Sequence, residues 1–413
     1  MPKLLVIGYV WPEPKSSAAG TRMMQLLDFF KNEDYQITFA TTARETNNKA
    51  DLTKHEIKTE KIKLNDPDFD VFLKELMPEV VLFDRFMMEE QFGWRVDEIC
   101  PEAIKILDTE DLHFLRNARQ RGCKEKKDAE DIYMDSDLAK REISAMYRCD
   151  LSLIISEKEL ELLTGKFQVS ERILLYLPFL LKKITERDIK NLPLFEDRKD
   201  FISIGNFLHE PNWKAVLHLK EKIWPEIRKK LPDAKMQVYG AYPSQKVLNL
   251  HNPKEGFIVN GWVKDSAEVM RNAKICLAPI LFGAGLKGKL VEAMQNGTAS
   301  VTTAVGAEGI PGNFEWNGFI VHTEDDFIEQ AVKLYSSEDL WKAKQNLGFE
   351  IINQRFNKEE HLNSFRNRLK KIHKNIRSHR LENFTGMMLK HHLHRSTYFM
   401  SKFIEEKNRS INF

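Results

Sequence analysis

Scarcity is the first information in this sequence. It has only four cysteines in 413 residues, Cys100, Cys123, Cys149 and Cys276, and no two of them share a metal-ligand spacing. A chain of this length buries enough apolar surface to need no disulfide staples, so the four are expected to be reduced thiols in a cytoplasmic protein. Nowhere do ~18 apolar residues run uninterrupted, which argues against a membrane-spanning helix. The opening MPKLLVIGYVWPEP holds only a short apolar run that suits a first strand better than a signal peptide. An excess of one charge is missing too. The 63 Lys and Arg against 61 Asp and Glu leave +2, too little for a bulk nucleic-acid binder. No Gly-x-Gly-x-x-Gly follows the first apolar run, which argues against an NAD or FAD site. Internal repeats and low-complexity tracts are absent.

What is present is an alternation of short apolar runs and helix-prone stretches, in two series. At this length two domains of ~150 to 200 residues are expected. The first series comprises Lys3–Tyr9, Tyr35–Thr42, Val80–Phe83, Ile104–Leu107, a run from Cys149 to Ser156, and Arg172–Phe179. The second comprises Phe201–Ile204, Lys235–Tyr239, Phe257–Asn260, Ile275–Pro279, Ala299–Thr303 and Phe319–Val321. Strands alternating with helices predict doubly wound parallel sheets. The boundaries follow from composition: an N-terminal domain over 1–185, a charged linker with Pro193 over 186–200, a C-terminal domain over 201–365, and a basic tail over 366–413. In the first domain, polar residues follow the strands at Asp84-Arg85 and at Asp108-Thr109-Glu110-Asp111 with His113. Ligands of open parallel sheets sit at the carboxyl ends of strands, so Asp84, Arg85, Asp108, Glu110 and His113 are acceptor-cleft candidates, although Thr109 and Asp111 would serve equally as helix caps.

The stretch ICLAPILFGAGLKGKLVEAMQNGTASVTTA, from Ile275, reads as strand, glycine-bearing loop, helix and strand. The helix from about Lys287 to Asn296 should begin with unpaired N–H groups aimed at the loop, a position that suits a diphosphate. Lys287 and Lys289 oppose the helix dipole there, so they are better explained by a bound dianion than by helix stability. Glu292 lies one turn beyond Lys289 on the same face, and a sugar diol is its natural partner. Two Asp-x-Asp pairs, Asp66-Pro67-Asp68 and Asp135-Ser136-Asp137, follow no clean buried strand. His391, His392 and His394 on one helix do not share a face, so no metal site is expected.

The run Gly283-Ala284-Gly285-Leu286-Lys287-Gly288-Lys289-Leu290-Val291-Glu292-Ala293-Met294, followed by Gly297-Thr298, resembles the signature helix of family 4 (group 1) glycosyltransferases. The resemblance is to the subgroup in which a Gly-x-Gly-x-basic loop precedes the ribose glutamate. Many members carry a second glutamate where this chain has Ala284. The resemblance implies the GT-B fold: two Rossmann-like doubly wound α/β domains facing across a cleft. It implies that Glu292 holds the ribose of a UDP- or GDP-linked sugar and that the backbone of Gly283, Ala284, Gly285 and Leu286, with Lys287, holds the phosphates. Lys289 assists, making Lys287, Lys289 and Glu292 the catalytic set. It further assigns Gly20 to a close approach of the first helix to the phosphates, Gly205 and Asn206 to the loop that often supplies a phosphate-binding arginine, and Val263 to the backbone reading the base.

Arg22 is either a phosphate or acceptor contact or a solvated first-turn residue. Trp262 suits the core better than a stacking role, and Ser156 reads as an N-cap. The expected activity is a retaining, metal-independent transfer from a nucleotide sugar to a glycan or lipid-linked acceptor, with no cofactor. A catalytically silent nucleotide-sugar scaffold is the alternative, made conceivable by Ala284 and Asn206, and a nucleotide-sugar epimerase is a third. The basic tail is expected to cross back to the first domain or to meet an anionic membrane from the cytoplasmic side.

Overall fold

The computed structural model of the chain describes residues 1–127 and 134–411. The first lobe is built on β1 (Lys3–Gly8), β2 (Gln36–Thr41), β3 (Lys58–Lys61), β4 (Val80–Asp84), β5 (Ile104–Asp108), β6 (Leu151–Ile154) and β7 (Leu174–Tyr176). Their order is β3-β2-β1-β4-β5-β6-β7, and every pair is parallel. The second lobe carries β8 (Lys199–Ile204), β9 (Met236–Tyr239), β10 (Phe257–Gly261), β11 (Ala273–Ala278), β12 (Ala299–Thr303) and β13 (Gly318–Val321). These follow the order β10-β9-β8-β11-β12-β13, again parallel.

The central strands are buried on both faces, as continuous apolar runs require once helices cover a parallel sheet. Leu4 to Ile7 are fully enclosed, and so are Ile275 to Ala278. One strand escapes the hydrophobic pattern. β3, with the sequence KTEK, is exposed at all four positions and is held to β2 by its backbone, with Thr38 opposite Lys58. Lysines on a sheet edge discourage further strand pairing, and that also removes the apolar signal by which such a strand is read. The order of strands reverses direction between β1 and β4 and between β8 and β11. In doubly wound sheets these switch points open the crevices where ligands bind.

The two lobes are joined by two crossings of the chain. Leu181 and Asn357 form a parallel bridge: the Leu181 N–H donates to the Phe356 carbonyl at 2.9 Å, and the Lys358 N–H to the Leu181 carbonyl at 2.9 Å. Beyond it the helix Lys358–Lys374 already belongs to the first lobe's core, where Phe365 stacks on Phe29 with centroids 4.6 Å apart. The return therefore begins inside the stretch read as second domain up to 365. The linker is ordered by a short helix, Glu186–Lys190, with a capping box between Thr185 and Asp188. The tail continues as Ile376–Glu382 and Phe384–Ile411 along the first lobe, fixed by Arg380 on Asp150 at 2.8 Å and Tyr398 edge-on to Trp94. No helix among the described residues is long and apolar enough to cross a membrane.

Candidate active-site cleft

The carboxyl ends of the two sheets face each other, so the segments after β1, β5 and β6 meet those after β8, β9, β10 and β11. The Trp262 indole N–H donates to the Lys15 carbonyl at 3.2 Å, and the Tyr242 hydroxyl to the Glu13 carboxylate at 2.9 Å. Arg119 donates to the Gly283 carbonyl at 3.0 Å and pairs with Glu308 at 2.9 Å. Trp262 was expected in the core; it is 44% exposed, because its indole spans the lobes instead of filling one.

After β11 the chain turns through Gly283, Ala284, Gly285, Leu286 and Lys287 and enters the helix Gly288–Gln295. Gly285 has a left-handed φ of 61°, and a Cβ there would stand 2.8 Å from the Asp111 Cβ of the first lobe. Both facts demand glycine. Gly288 is equally tight, since a Cβ on it would lie 2.6 Å from that of Ala18. The close interlobe approach assigned to Gly20 is thus made by Ala18. Gly20 instead packs on the Glu13 backbone of its own loop, below the cap in which Ser17 Oγ accepts from the Gly20 N–H at 3.0 Å.

Lys287 occupies the cap position of the helix, and its ammonium donates to the Gly285 carbonyl at 2.8 Å. Lys289 donates to Asn212 Oδ1 at 2.8 Å, and Asn212 Nδ2 donates to the Asn206 carbonyl at 2.8 Å. This chain of contacts ties the loop after β8 to the helix after β11, across the switch point. Gly205 is small because Asn212 fills the space where its Cβ would be, 2.7 Å from the Asn212 Cγ. Asn206 closes the turn by accepting the Leu208 N–H at 2.9 Å. Burial brings both lysines down to about 8; for Lys287 the Glu308 carboxylate opposes the shift and Arg119 adds to it. Glu292 accepts a hydrogen bond from the Ser266 hydroxyl, and burial raises its pKa. Ser266 opens the helix after the loop that holds the half-buried Val263, so the ribose and base candidates lie side by side.

In the first lobe the candidates divide. Arg22 and Asp108 are buried and satisfy each other, Arg22 Nε to Asp108 Oδ1 at 3.0 Å, with Arg22 also donating to the Leu177 carbonyl at 2.5 Å. Neither has surface left for a ligand, which corrects their assignment to the acceptor cleft. Asp84 holds the Tyr9 N–H at 3.0 Å and pairs with Arg85 at 3.2 Å, organising the loop after β1. Its second oxygen is buried without a partner. Arg85, at a left-handed φ of 71°, remains half-buried over the Tyr9 ring at 5.2 Å. Glu110 is pushed well above the carboxylate range by burial and by Asp108, with Arg85 opposing. His113 is a structural neighbour of Glu142, whose carboxylate receives the His113 and Phe114 N–H groups at 3.1 and 2.9 Å. Arg85 and Glu110 are the acceptor candidates that stay available.

Several cleft residues escaped the sequence reading. Glu159 is buried, and one oxygen accepts both the Leu112 N–H at 2.9 Å and the Gly285 N–H of the opposite lobe at 2.8 Å. Burial and the Asp111 charge raise it to about 8. Asn212 links Asn206 to Lys289, and the cap position of its helix is held by His209. Ser156 stands at a cap position but its hydroxyl bonds nothing; it is buried under Gly309. Both Asp-x-Asp pairs sit at helix starts. The His394 side chain lies outside the described residues.

Two doubly wound lobes whose switch-point loops face one another define the GT-B architecture. Known structures share it. A mutant of S. aureus TarM in complex with fondaparinux, alpha-GlcNAc-glycerol and UDP superposes with a TM-score of 0.67 at 11% identity, over 89% of this chain and 99% of that one. Sucrose-phosphate synthase from Thermosynechococcus elongatus gives 0.68 at 14%, over 90% and 99%. Anabaena HepE in complex with UDP and glucose gives 0.64 at 13%, over 90% and 100%. Residues 198–337, which contain the whole loop and helix described above, match the family Glycosyl transferases group 1. The match lies within the second lobe, which is similar there to a group 1 glycosyltransferase domain. No curated protein sequence matches the chain.

Proposed function

We propose that the protein is a retaining glycosyltransferase that moves a sugar from a nucleoside diphosphate to a hydroxyl of a glycan or lipid-linked acceptor. The observation that carries this reading is the pair of half-buried lysines at the amino end of Gly288–Gln295, inside a group 1 domain. The anomeric C–O bond to the diphosphate breaks, the acceptor oxygen bonds to that carbon from the same face, and the acceptor proton passes to the departing phosphate oxygen. Charge then grows on the diphosphate, where Lys287, Lys289 and the free N–H groups of the helix start would meet it. In this reading Glu292 holds the ribose, Val263 the base, and Arg85 with Glu110 faces the acceptor. The lysines supply the positive charge on the leaving group, so turnover is expected to survive a chelator. UDP in TarM and HepE makes uridine the first base to test, and the similar fold of WaaG, a glycosyltransferase involved in lipopolysaccharide biosynthesis, favours a cell-envelope glycoconjugate.

The test is turnover with a panel of UDP- and GDP-sugars. Lys287→Ala and Glu292→Ala should each lower kcat/KM, the lysine variant by ~10²–10³, with the fold retained by circular dichroism. Full activity in both would remove the site assignment. Donor binding by calorimetry without transfer to any acceptor would favour the silent scaffold instead.

A further inference from the structure

The basic tail was expected to cross back to the first domain or to meet an anionic membrane through its lysines and arginines. The structure commits part of that charge internally: Arg366 pairs with Glu33 at 2.7 Å, Arg380 with Asp150 at 2.8 Å and Lys390 with Asp97 at 3.8 Å. What remains outside includes a row of apolar side chains.

We propose that the outer face of the helix Phe384–Ile411 is a docking surface for an anionic lipid bilayer. Phe384, Met388, Phe399 and Phe403 are 58, 52, 67 and 66% exposed, and Met400 beside them is 61% exposed. Phe384 and Met388 are one turn apart, as are Phe399 and Phe403, and the helical repeat brings both pairs to one side. The opposite side holds the helix to the first lobe. Tyr398 packs on Trp94, Ser401 donates to Asn65 at 2.7 Å, and Glu405 pairs with Arg95. The apolar strip is therefore not needed for docking within the chain. Single exposed hydrophobic residues need no explanation, but an aligned row of phenylalanines and methionines on one helix does.

The charge around the strip selects the occupant. From Lys370 to Ile404 there are eight Lys and Arg and one acid, Glu382, which is paired with Arg172. Lys370, Lys371, Lys374 and Arg377 are exposed with no acidic partner among the described residues. A second copy of the chain would bring like charges together on this face, whereas an anionic leaflet offers the complementary field and takes up phenylalanine at its interface. The strip runs along the flank of the first lobe, from the amino ends of β5 and β6, where Arg380 bonds the Ala103 carbonyl and Asp150, towards Asn65 beyond the carboxyl end of β3. A bilayer on that flank would lie alongside the first lobe with the cleft left open. This inference is independent of the donor site.

Sedimentation of the full chain with vesicles of phosphatidylcholine, alone or mixed in equal parts with phosphatidylglycerol, tests it. The wild type should pellet with the mixed vesicles and be released by salt. The double variant Phe399→Ser, Phe403→Ser should partition about tenfold less or weaker still. Its melting temperature should be unchanged, and Phe384→Ser with Met388→Ser provides the same test at the other end of the strip. Leu194→Ser, an exposed leucine in the linker, should bind as the wild type does. Failure of the wild type to pellet, or pelleting of both double variants to the same extent as the wild type, would overturn the proposal. So would a dimer in light scattering that the substitutions dissociate without any effect on vesicles, which would make a second copy the occupant.

Discussion

Lys287 and Lys289 show how burial makes a cation useful. An ammonium in water sits far above neutrality, but at the cleft both groups fall to about 8, because the enclosing lobes take away solvent that would stabilise the charge. In the proposed reaction the charged form is the one that would meet the diphosphate. With the donor subsaturating, kcat/KM is therefore expected to fall as pH rises through about 8, and the pH-rate profile of the wild type checks this. The fall is distinguishable from unfolding by its sign. Between about 8 and the ordinary 10.5 the unfolded chain retains protons that the folded lysines have released, so these two groups make the fold more stable as pH rises over the window in which activity declines.

The loop from Gly283 to Lys287 is shaped as much by the opposite lobe as by its own helix. Glu159, on the helix Glu157–Gly165, holds the Gly285 N–H while Arg119 holds the Gly283 carbonyl, so two first-lobe helices grip one second-lobe turn. Glu159→Ala would leave the Leu112 and Gly285 N–H groups unsatisfied at ~1–3 kcal/mol each, whereas Glu159→Gln keeps an accepting oxygen and should cost much less. Urea unfolding of the two variants separates these outcomes. The same group predicts a pH effect. Its folded pKa of about 8 lies above the unfolded 4.5, so its contribution is complete below the lower value and is lost as pH rises through the higher one. Stability of the glutamine variant should decline less across that window.

At the level of the complete chain, the lobes are coupled by the return of the C-terminal helices. Phe365 is fully buried between Phe29 and Phe30, at 4.6 and 5.8 Å, so a residue late in the sequence completes the core built by the first strands. Phe365→Ala should cost ~3–5 kcal/mol in urea unfolding of the full chain, although no residue of the cleft is touched. The neighbouring crossings at Leu181 and Asn357 leave the rest of the interface to side chains, among them Tyr242 on Glu13 and Trp262 on Lys15. Those contacts are polar and partly exposed, as a cleft that must admit a ligand requires.

The alternation of buried runs and helices was legible without coordinates, since continuous apolar strands and the helix period impose themselves over short distances. So was the loop and helix from Gly283 to Glu292, where glycines, lysines and a glutamate stand at spacings that only local geometry has to convert into a site. β3 was not legible, because an edge strand covered by solvent has no apolar signature. Neither was the fate of Arg22, whose partner Asp108 is distant in sequence, nor the roles of Glu159, Asn212 and Trp262, each of which looks like an ordinary helix, cap or core residue until the other lobe is placed against it. The sequence by itself determined the elements and the glycine turn that leads into the lysine-bearing helix; only the tertiary structure decided which charges face the cleft and which cancel in its walls, because burial and pairing are properties of neighbours brought together by the fold.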